Sequence, residues 1–367
     1  MEILDVIAVI AGLLLLIAGG EALVRGASTL AVRVGLSPLV IGLVVVSAAT
    51  SAPELAVTVG AVFGGEPDLA LGNVVGSNIV NILFILGLSA IISPLIIKQQ
   101  LVRFDIPVMV GLSLLLLVVS LDGRISVLDG VLLLAGLAFH TVMSIVVGRR
   151  TVPDPTSPPV AMPLNSKPVP LWLAGLLLVA GIGLLVLGAQ LLVDAAVSIA
   201  TGLGVSSLIV GLTVVAVGTS LPELATSIIA LRRGESDMAV GNIVGSNIFN
   251  IGMVLGLPAI IFGEGIPVPA AAIALDLPLM LATAVVLLPL AFTGFVLARW
   301  EGALFVLLYI AYILYLVLAS TQHDAADGFT TLMLWFVLPL VAVTLIVVTS
   351  YEIGIRRHRS AKEPEGG

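Results

Sequence analysis

Eleven apolar segments succeed one another along this chain, each close to the length a helix needs to cross a bilayer. They run, to within a few residues, over 3–24, 38–63, 68–97, 104–121, 126–148, 170–199, 206–231, 238–262, 270–293, 300–319 and 329–351. In hydrocarbon every backbone polar group must be satisfied internally, so segments of this length read as spanning helices. Composition agrees: 59% of the residues are hydrophobic and 10% charged, against about 25% charged in soluble domains. A soluble enzyme, a disordered chain and a nucleic-acid binder are thereby excluded. The expected class is an all-α polytopic protein of the inner or plasma membrane, surrounded by lipid, with no nucleic-acid partner and no evident obligatory protein partner. The first segment lacks a basic n-region and a small-residue cleavage site, so it reads as a retained helix.

Basic residues set the expected orientation. With the N-terminus outside, 14 of the 15 Lys and Arg residues fall on the cytoplasmic side and only Arg124 falls outside. The C-terminus is then cytoplasmic. A proline-rich polar stretch follows the fifth segment. The expected organisation is a first five-helix unit over 1–148, a cytoplasmic linker over 149–169, a second five-helix unit over 170–320, an additional helix within 321–352 and a cytoplasmic tail over 353–367.

The two units are copies. Gly42–Ala56 (GLVVVSAATSAPELA) matches Gly211–Ala225 (GLTVVAVGTSLPELA), and Gly72–Ile82 (GNVVGSNIVNI) matches Gly241–Ile251 (GNIVGSNIFNI). Both pairs lie at one offset, 211 − 42 = 241 − 72 = 169, and Asp105–Pro107 matches Asp276–Pro278 at 171. Five crossings is an odd number, so the second copy lies upside down relative to the first. Inverted repeats are a common architecture of secondary transporters, whose ion sites lie near the midplane where the copies meet. The expected fold is two inverted five-helix repeats, ten transmembrane helices in all, plus an additional C-terminal helix.

Glu54 and Glu223 stand inside apolar segments, where a carboxylate is costly and marks an ion or proton pathway. Pairing with a buried base is the structural alternative, but no Lys or Arg lies within the apolar part of helices 2, 3, 7 or 8. Each glutamate follows a proline. Pro53 and Pro222 have no N–H to give the carbonyls of Ala49 and Gly218, so each helix should kink there and free carbonyl oxygens. Thr50 and Ser51 lie four and three residues before Glu54, on one helix face, and Thr219 and Ser220 repeat the spacing before Glu223. In the next helix of each copy Ser77 and Asn81, and Ser246 and Asn250, are again four apart. Gly72, Gly76, Gly241 and Gly245 read as sites of close helix packing. The donor set is all oxygen: two carboxylates with hydroxyls, amides and carbonyls. Such a set suits Ca²⁺ or another hard cation and not zinc or copper. The chain has no cysteine, and its histidines, His140, His323 and His358, lie outside these segments. Two ionised glutamates carry −2, which one Ca²⁺ or two monovalent cations neutralise. An empty carrier would keep −2 in the barrier and should switch reluctantly, which favours antiport over uniport.

Other charged residues have plainer expectations. Asp105 and Asp276, each two residues before a proline, should N-cap helices 4 and 9. Glu21, Arg25 and Asp194 should lie at interfaces. Glu66, Asp68, Glu235 and Asp237 should be solvated in short turns, and Tyr309, Tyr312 and Tyr315 should pack or form an interfacial belt.

At the paired Thr-Ser-x-Pro-Glu and Gly-Asn-x-x-Gly-Ser-Asn segments the chain resembles the calcium/cation antiporter superfamily, in particular its prokaryotic sodium/calcium exchanger branch. The resemblance covers roughly residues 1–320. It implies ten helices in two inverted halves, with helices 1 and 6 sliding past a bundle that holds the site to give alternating access. It implies that Glu54 and Glu223 ligate Ca²⁺ together with carbonyls near Thr50 and Thr219. Sodium would draw on Ser51, Ser77, Ser220 and Ser246 and on carbonyls near Ser47 and Ala216, and Asn81 and Asn250 would complete the central site. The transported ions are then Ca²⁺ and Na⁺, with no cofactor. Two departures stand out: Ala49 replaces the glycine found at Gly218, implying a tighter first kink, and Asn250 is neutral where some members carry Asp. Helix 11 falls outside the ten-helix pattern.

Three other functions remain on the sequence alone. The same fold could exchange Ca²⁺ for H⁺, with the glutamates as proton carriers. A passive cation channel would use the same polar pathway. A membrane-embedded hydrolase would need a nucleophile and base together, and no histidine lies near the glutamate pair in sequence.

Overall fold

The computed structural model describes residues 3–150, 170–202, 216–292 and 295–344, together with 346, 347 and 350. The linker from 151, the first part of the seventh segment (203–215) and the C-terminal tail lie outside the described residues. Among the described residues nine helices are long and apolar enough to cross a membrane, or ten if one bent pair counts as a single span. They are α1 (Ile3–Val34), the bent pair α2 (Pro38–Thr50) and α3 (Ala52–Phe63), α4 (Pro67–Ile92), α5 (Leu101–Val119), α6 (Val127–Arg150) and α7 (Leu171–Gly202). The short α8 (Ala216–Thr219) and α9 (Leu221–Arg232) follow, then α10 (Ser236–Phe262), α11 (Ala272–Leu290), α12 (Arg299–Ser320) and α13 (Ala325–Thr344). The expected eleventh span is the seventh segment, of which only α8 and α9 are described.

Among the described residues α1 and α7 are the two longest helices, 32 residues each. At 1.5 Å per residue each is roughly 48 Å long, well beyond a hydrocarbon core of about 30 Å. α1 continues past the expected end at residue 24 because its buried face continues: Val24, Ala27 and Ala31 are buried while Arg25 and Arg33 point outward. The two helices lie antiparallel along a seam of small residues spaced by seven. A Cβ added to Gly12 would sit 2.8 Å from the Gly188 carbonyl oxygen, one on Gly19 2.9 Å from that of Gly181, and one on Gly26 2.8 Å from that of Ala174. Backbones this close gain dispersion contacts along their length, the packing mode that small residues provide in lipid.

The remaining helices form a bundle in which α4 and α10 are central and mostly buried. The inversion shows in reciprocal contacts between the copies. Gly87 of α4 meets Gly302 of α12, and Gly130 of α6 meets Gly256 of α10. Two short antiparallel strand pairs also join the copies. β1 (Leu95–Ile96) pairs with β4 (Val296–Leu297), and β2 (Arg124–Ile125) pairs with β3 (Ile266–Pro267). One hydrogen bond extends each pair, from Ile97 N to Phe295 O and from Val268 N to Gly123 O, both 2.8 Å. Gly123 turns with φ 87, and Phe295 holds the matching left-handed place at φ 55, a costly conformation for a residue with a side chain. β1 precedes α5 and β2 follows it, so the pairings lie at opposite ends of the bundle.

Several peripheral expectations are corrected. Asp105 does not cap its helix, which begins a wide π-type turn earlier at Leu101. Its buried carboxylate instead takes a hydrogen bond from Ser144 (2.8 Å) and lies 2.9 Å from His140 Nε2. Asp276 likewise ends a π-type turn that starts at Ala272. Glu21 pairs with Arg233 across the gap between α1 and α9. Glu235 is not simply solvated: both its oxygens lie 2.7 Å from the Ser28 hydroxyl of α1, and burial pushes its carboxyl up against the opposing pull of Ser28 and Arg233. Asp237 pairs with Lys98 at 3.5 Å. Glu66 and Asp68 are exposed, as expected, and Tyr309 is buried against Phe84. α13 buries none of its apolar window, and Trp335 is 81% exposed.

Candidate cation site

The site begins with two matching breaks. α2 and α3 meet at Ser51 with a bend of 42°. Pro53 sits in the first turn of α3, and Ser51 adopts φ −82, ψ 4, a bridge conformation that a continuous helix does not use. Ser220 repeats this between α8 and α9 with φ −91, ψ 8. Beyond each break the ladder resumes, with Leu55 N donating to Ser51 O and Leu224 N to Ser220 O, both 3.1 Å. Glu54 and Glu223 consequently occupy the first turn of α3 and α9. Unpaired N–H groups and the positive end of the helix dipole favour a carboxylate there.

Glu54 and Glu223 are 1% and 0% exposed. Glu223 Oε1 accepts from Ser51 Oγ of the other copy and from Ser246 Oγ, each at 3.4 Å. Thr50 Oγ1 lies 3.3 Å from Asn242 Oδ1 and 3.4 Å from Ser246 Oγ. Ser77, Asn81, Ser220 and Asn250 are all buried. The sequence-predicted residues of the two copies thus come together around the place where α2–α3 and α8–α9 face α4 and α10. Ser47 gives its hydroxyl to Leu43 O (2.6 Å), and its carbonyl accepts from Ser51 N (3.0 Å) and from Thr50 Oγ1 (3.4 Å). Thr219 is half-buried, unlike the buried Thr50. Ala216 begins α8 at the place of Ser47, and its side chain lies outside the described residues.

Among the described residues seven buried oxygens in this region have no hydrogen-bond partner: both of Glu54, Oε2 of Glu223, the hydroxyls of Ser77 and Ser220, and Oδ1 of Asn81 and Asn250. An unsatisfied buried polar atom costs about 1–3 kcal/mol, so seven together form a set of oxygens that a cation could satisfy. All are oxygen, and Ca²⁺ takes 6–8 oxygen ligands. No group of three or more His, Cys, Asp or Glu side chains suited to a metal occurs among the described residues, consistent with a site of two acids and neutral oxygens. His140 is engaged with Asp105 and takes no part.

The sodium/calcium exchanger protein profile matches residues 4–146 and 173–318, stopping and resuming on either side of the proline-rich stretch. The chain belongs to the sodium/calcium exchanger family. Among relatives of this exchanger, the sodium/calcium exchanger MaX1 of Methanosarcina acetivorans is 30% identical over 338 residues, covering 83% of this chain and 96% of its own. The putative antiporter CaxA of Alkalimonas amylolytica is 41% identical over 253 residues, 69% of this chain and 79% of its own. The solved structure of the sodium-calcium exchanger NCX_Mj, soaked with Na⁺ and Sr²⁺, superposes with a TM-score of 0.72 at 33% identity, covering 85% of this chain and 98% of that one. Family and structural neighbours are transporters, not enzymes.

Around the predicted ligands of the exchanger lies a layer that sequence reasoning missed. Asn81 Nδ2 donates to Asn247 Oδ1 at 3.1 Å, and Asn250 Nδ2 donates to Asn78 Oδ1 at 3.2 Å. Asn242 donates to Thr226 and Ser227, and Asn73 to Thr58 and the Glu54 carbonyl. A signal was present: Asn78 and Asn247, like Asn73 and Asn242, recur at the offset of 169. Close packing by glycine holds for Gly241 and Gly245, where an added Cβ would meet α2 backbone at Leu39 and Leu43. For Gly72 and Gly76 nothing lies within 4 Å among the described residues. At the second kink a Cβ on Gly218 would run into Val193 of α7, which explains glycine there.

Proposed function

We infer that this exchanger extrudes Ca²⁺ in return for Na⁺ by alternating access, with the ions taken up between the inverted copies. The family and the likeness to NCX_Mj support Na⁺/Ca²⁺ antiport and do not favour H⁺ as the coupling ion. The observation that carries the reading is the set of seven unpartnered buried oxygens, drawn from both copies and centred on two acids. Glu54 and Glu223 would bind Ca²⁺ with the Thr50 and Thr219 carbonyls. Asn81 and Asn250 would complete the coordination. Ser51, Ser77, Ser220 and Ser246, with carbonyls at Ser47 and Ala216, would bind Na⁺. One Ca²⁺ or two Na⁺ cancel the charge of the two acids, so the two cargoes compete for one charge balance. That competition is what couples them: the site crosses neutral when loaded and keeps −2 when empty.

α1 and α7, joined along their glycine seam, would slide over the bundle to open the site to one side and then the other. Ser28 and Glu21 of α1 grip Glu235 and Arg233 at one end, so a change of access breaks these contacts. The bias of basic residues supports an orientation with the N-terminus outside and the C-terminus in the cytoplasm. The division at 148, 169, 320 and 352 into repeat, linker, repeat, extra helix and tail is part of the same reading.

The test is radioactive Ca²⁺ uptake by proteoliposomes loaded with Na⁺ and diluted into Na⁺-free buffer at equal pH. Uptake should require internal Na⁺ and survive a proton ionophore. Uptake driven by a pH gradient and indifferent to Na⁺ would replace Na⁺ with H⁺ as the coupling ion.

A further inference from the structure

Asn81 and Asn250 present a problem of direction. A primary amide has an acceptor end and a donor end of nearly the same shape. Turned one way it offers a cation its oxygen, and turned the other way it repels the cation with N–H. Both residues are fully buried, and each leaves Oδ1 without a partner while Nδ2 is engaged. Something must hold them that way round.

The holding groups are asparagines of the opposite copy. Asn247 Oδ1 receives Asn81 Nδ2 at 3.1 Å, and Asn78 Oδ1 receives Asn250 Nδ2 at 3.2 Å. These amides could themselves reverse, but each is backed by a thioether. Asn247 Nδ2 points to Met109 Sδ at 3.6 Å, and Asn78 Nδ2 points to Met280 Sδ at 3.5 Å. A thioether sulfur accepts and cannot donate. The amide beside it must therefore present N–H to the sulfur and its oxygen to the next amide. That next amide must give N–H and keep its oxygen for the cavity. Asn78, Asn247, Met109 and Met280 are all at most 2% exposed, so bulk water does not reach either amide. The two chains obey the inversion, with offsets of 169 for the asparagines and 280 − 109 = 171 for the methionines.

We propose that Met109–Asn247–Asn81 and Met280–Asn78–Asn250 are two crossed relays that set the polarity of the Asn81 and Asn250 amides, making both obligatory oxygen donors to the transported cation. Asn78 and Asn247 are positioning residues, each acting on a ligand from the other copy. The relay also ties the charge of the site to a methionine. An ionised aspartate at 250 would set oxygen against Asn78 Oδ1, and relieving that by turning Asn78 would set oxygen against the Met280 sulfur. The neutral residue at 250 and the thioether at 280 are one device.

The proposal rests on Asn81 and Asn250 being cation ligands, and a double-mutant cycle on Ca²⁺ affinity tests both layers separately. Affinity is read as the KM of Na⁺-driven Ca²⁺ uptake and as equilibrium Ca²⁺ binding, with thermal melting as the check on folding. Asn247→Leu should weaken Ca²⁺ about fivefold, the worth of one hydrogen bond, and should add nothing in an Asn81→Ala background. It should add fully to Asn250→Ala, because that ligand belongs to the other relay. Asn78→Leu should show the converse pattern. Met109→Leu, which conserves volume, should couple to Asn81→Ala in the same way with about a twofold effect, the consequence of leaving the amide free to adopt either direction. It serves as the probe if Asn247→Leu fails to fold. Unchanged affinity in Asn81→Ala would remove the ligand assignment and the relay with it. Weakened affinity in Asn81→Ala, with Asn247→Leu and Met109→Leu either silent or additive to it, would overturn the relay and leave the ligand standing.

Discussion

Glu223→Gln is the sharpest single perturbation of the cation site. The substitution keeps shape and keeps an acceptor for Ser51 and Ser246, the two donors 3.4 Å from Oε1. It replaces Oε2, which has no partner among the described residues, with an N–H₂ group turned toward the cation. The charge of the acids falls from −2 to −1, so a Ca²⁺-loaded site passes from neutral to +1. One uncompensated charge at mid-membrane costs at least about 2.5–3.5 kcal/mol on insertion scales. At 1.36 kcal/mol per decade this is roughly a 60- to 400-fold loss of exchange rate, and the lost carboxylate ligand adds to it. Sodium behaves differently: one Na⁺ neutralises the remaining charge, so Na⁺/Na⁺ exchange should survive far better than Ca²⁺ uptake. The assay is radioactive Ca²⁺ uptake and ²²Na⁺ exchange in the same proteoliposomes, with an unchanged melting profile as the folding control. Ca²⁺ uptake within about threefold of the wild type, a loss too small for a lost charge, would refute the charge-balance reasoning, as would equal loss of both activities.

Other expectations follow from named contacts. Gly181→Val places a Cβ 2.7 Å from Leu23 N and 2.9 Å from the Gly19 carbonyl, whereas Gly183 has open space; the first should destabilise by about 1–3 kcal/mol through overpacking and lower the melting temperature in detergent, while Gly183→Val should not. Asp105→Ala removes the acceptor of two buried hydrogen bonds from α6 and should cost roughly 3 kcal/mol of stability, seen as a lower melting temperature with the KM for Ca²⁺ unchanged. A chain ending at Ser320 should keep Na⁺-dependent Ca²⁺ uptake, since α13 buries none of its apolar window; loss of uptake by a well-folded truncated protein would give α13 a part in transport.

The two acids were legible as candidates because cost singles them out: a glutamate in an apolar segment, twice, at one offset, marks an ion or proton pathway, and the structure buries both. The inversion was legible from parity, which needs only a helix count. Other features depend on geometry that periodicity does not carry. Asp105 looked like a cap because Pro107 follows it closely, yet the π-type turn from Leu101 starts the helix earlier and turns the carboxylate toward α6. Arg25 looked like a helix end, and the helix runs through it because its buried face goes on to Ala31. The seam between α1 and α7 is written in the spacing Gly12, Gly19, Gly26 and Gly181, Gly188, but it becomes readable only once the two helices are known to be antiparallel neighbours. Asn78 and Asn247 stood inside the matched blocks. Their direction is set by sulfur atoms from other helices, and that is a tertiary fact.

The strand pairs β1–β4 and β2–β3 bear on how a charge gets across. Each fastens one copy to the other, and they do so at opposite ends of the bundle. The helices that these strands follow or precede, α4, α5 and α6 of one copy and α10, α11 and α12 of the other, are thus fastened top and bottom, and α3 and α9, which carry Glu54 and Glu223, pack against α4 and α10. In the proposed mechanism an ion seated between the copies would stay nearly still while the long helix pair shifts and the thin insulating layer moves from one side of it to the other. The transmembrane voltage would then act chiefly on where the insulation lies, with the membrane in effect relocated around its cargo.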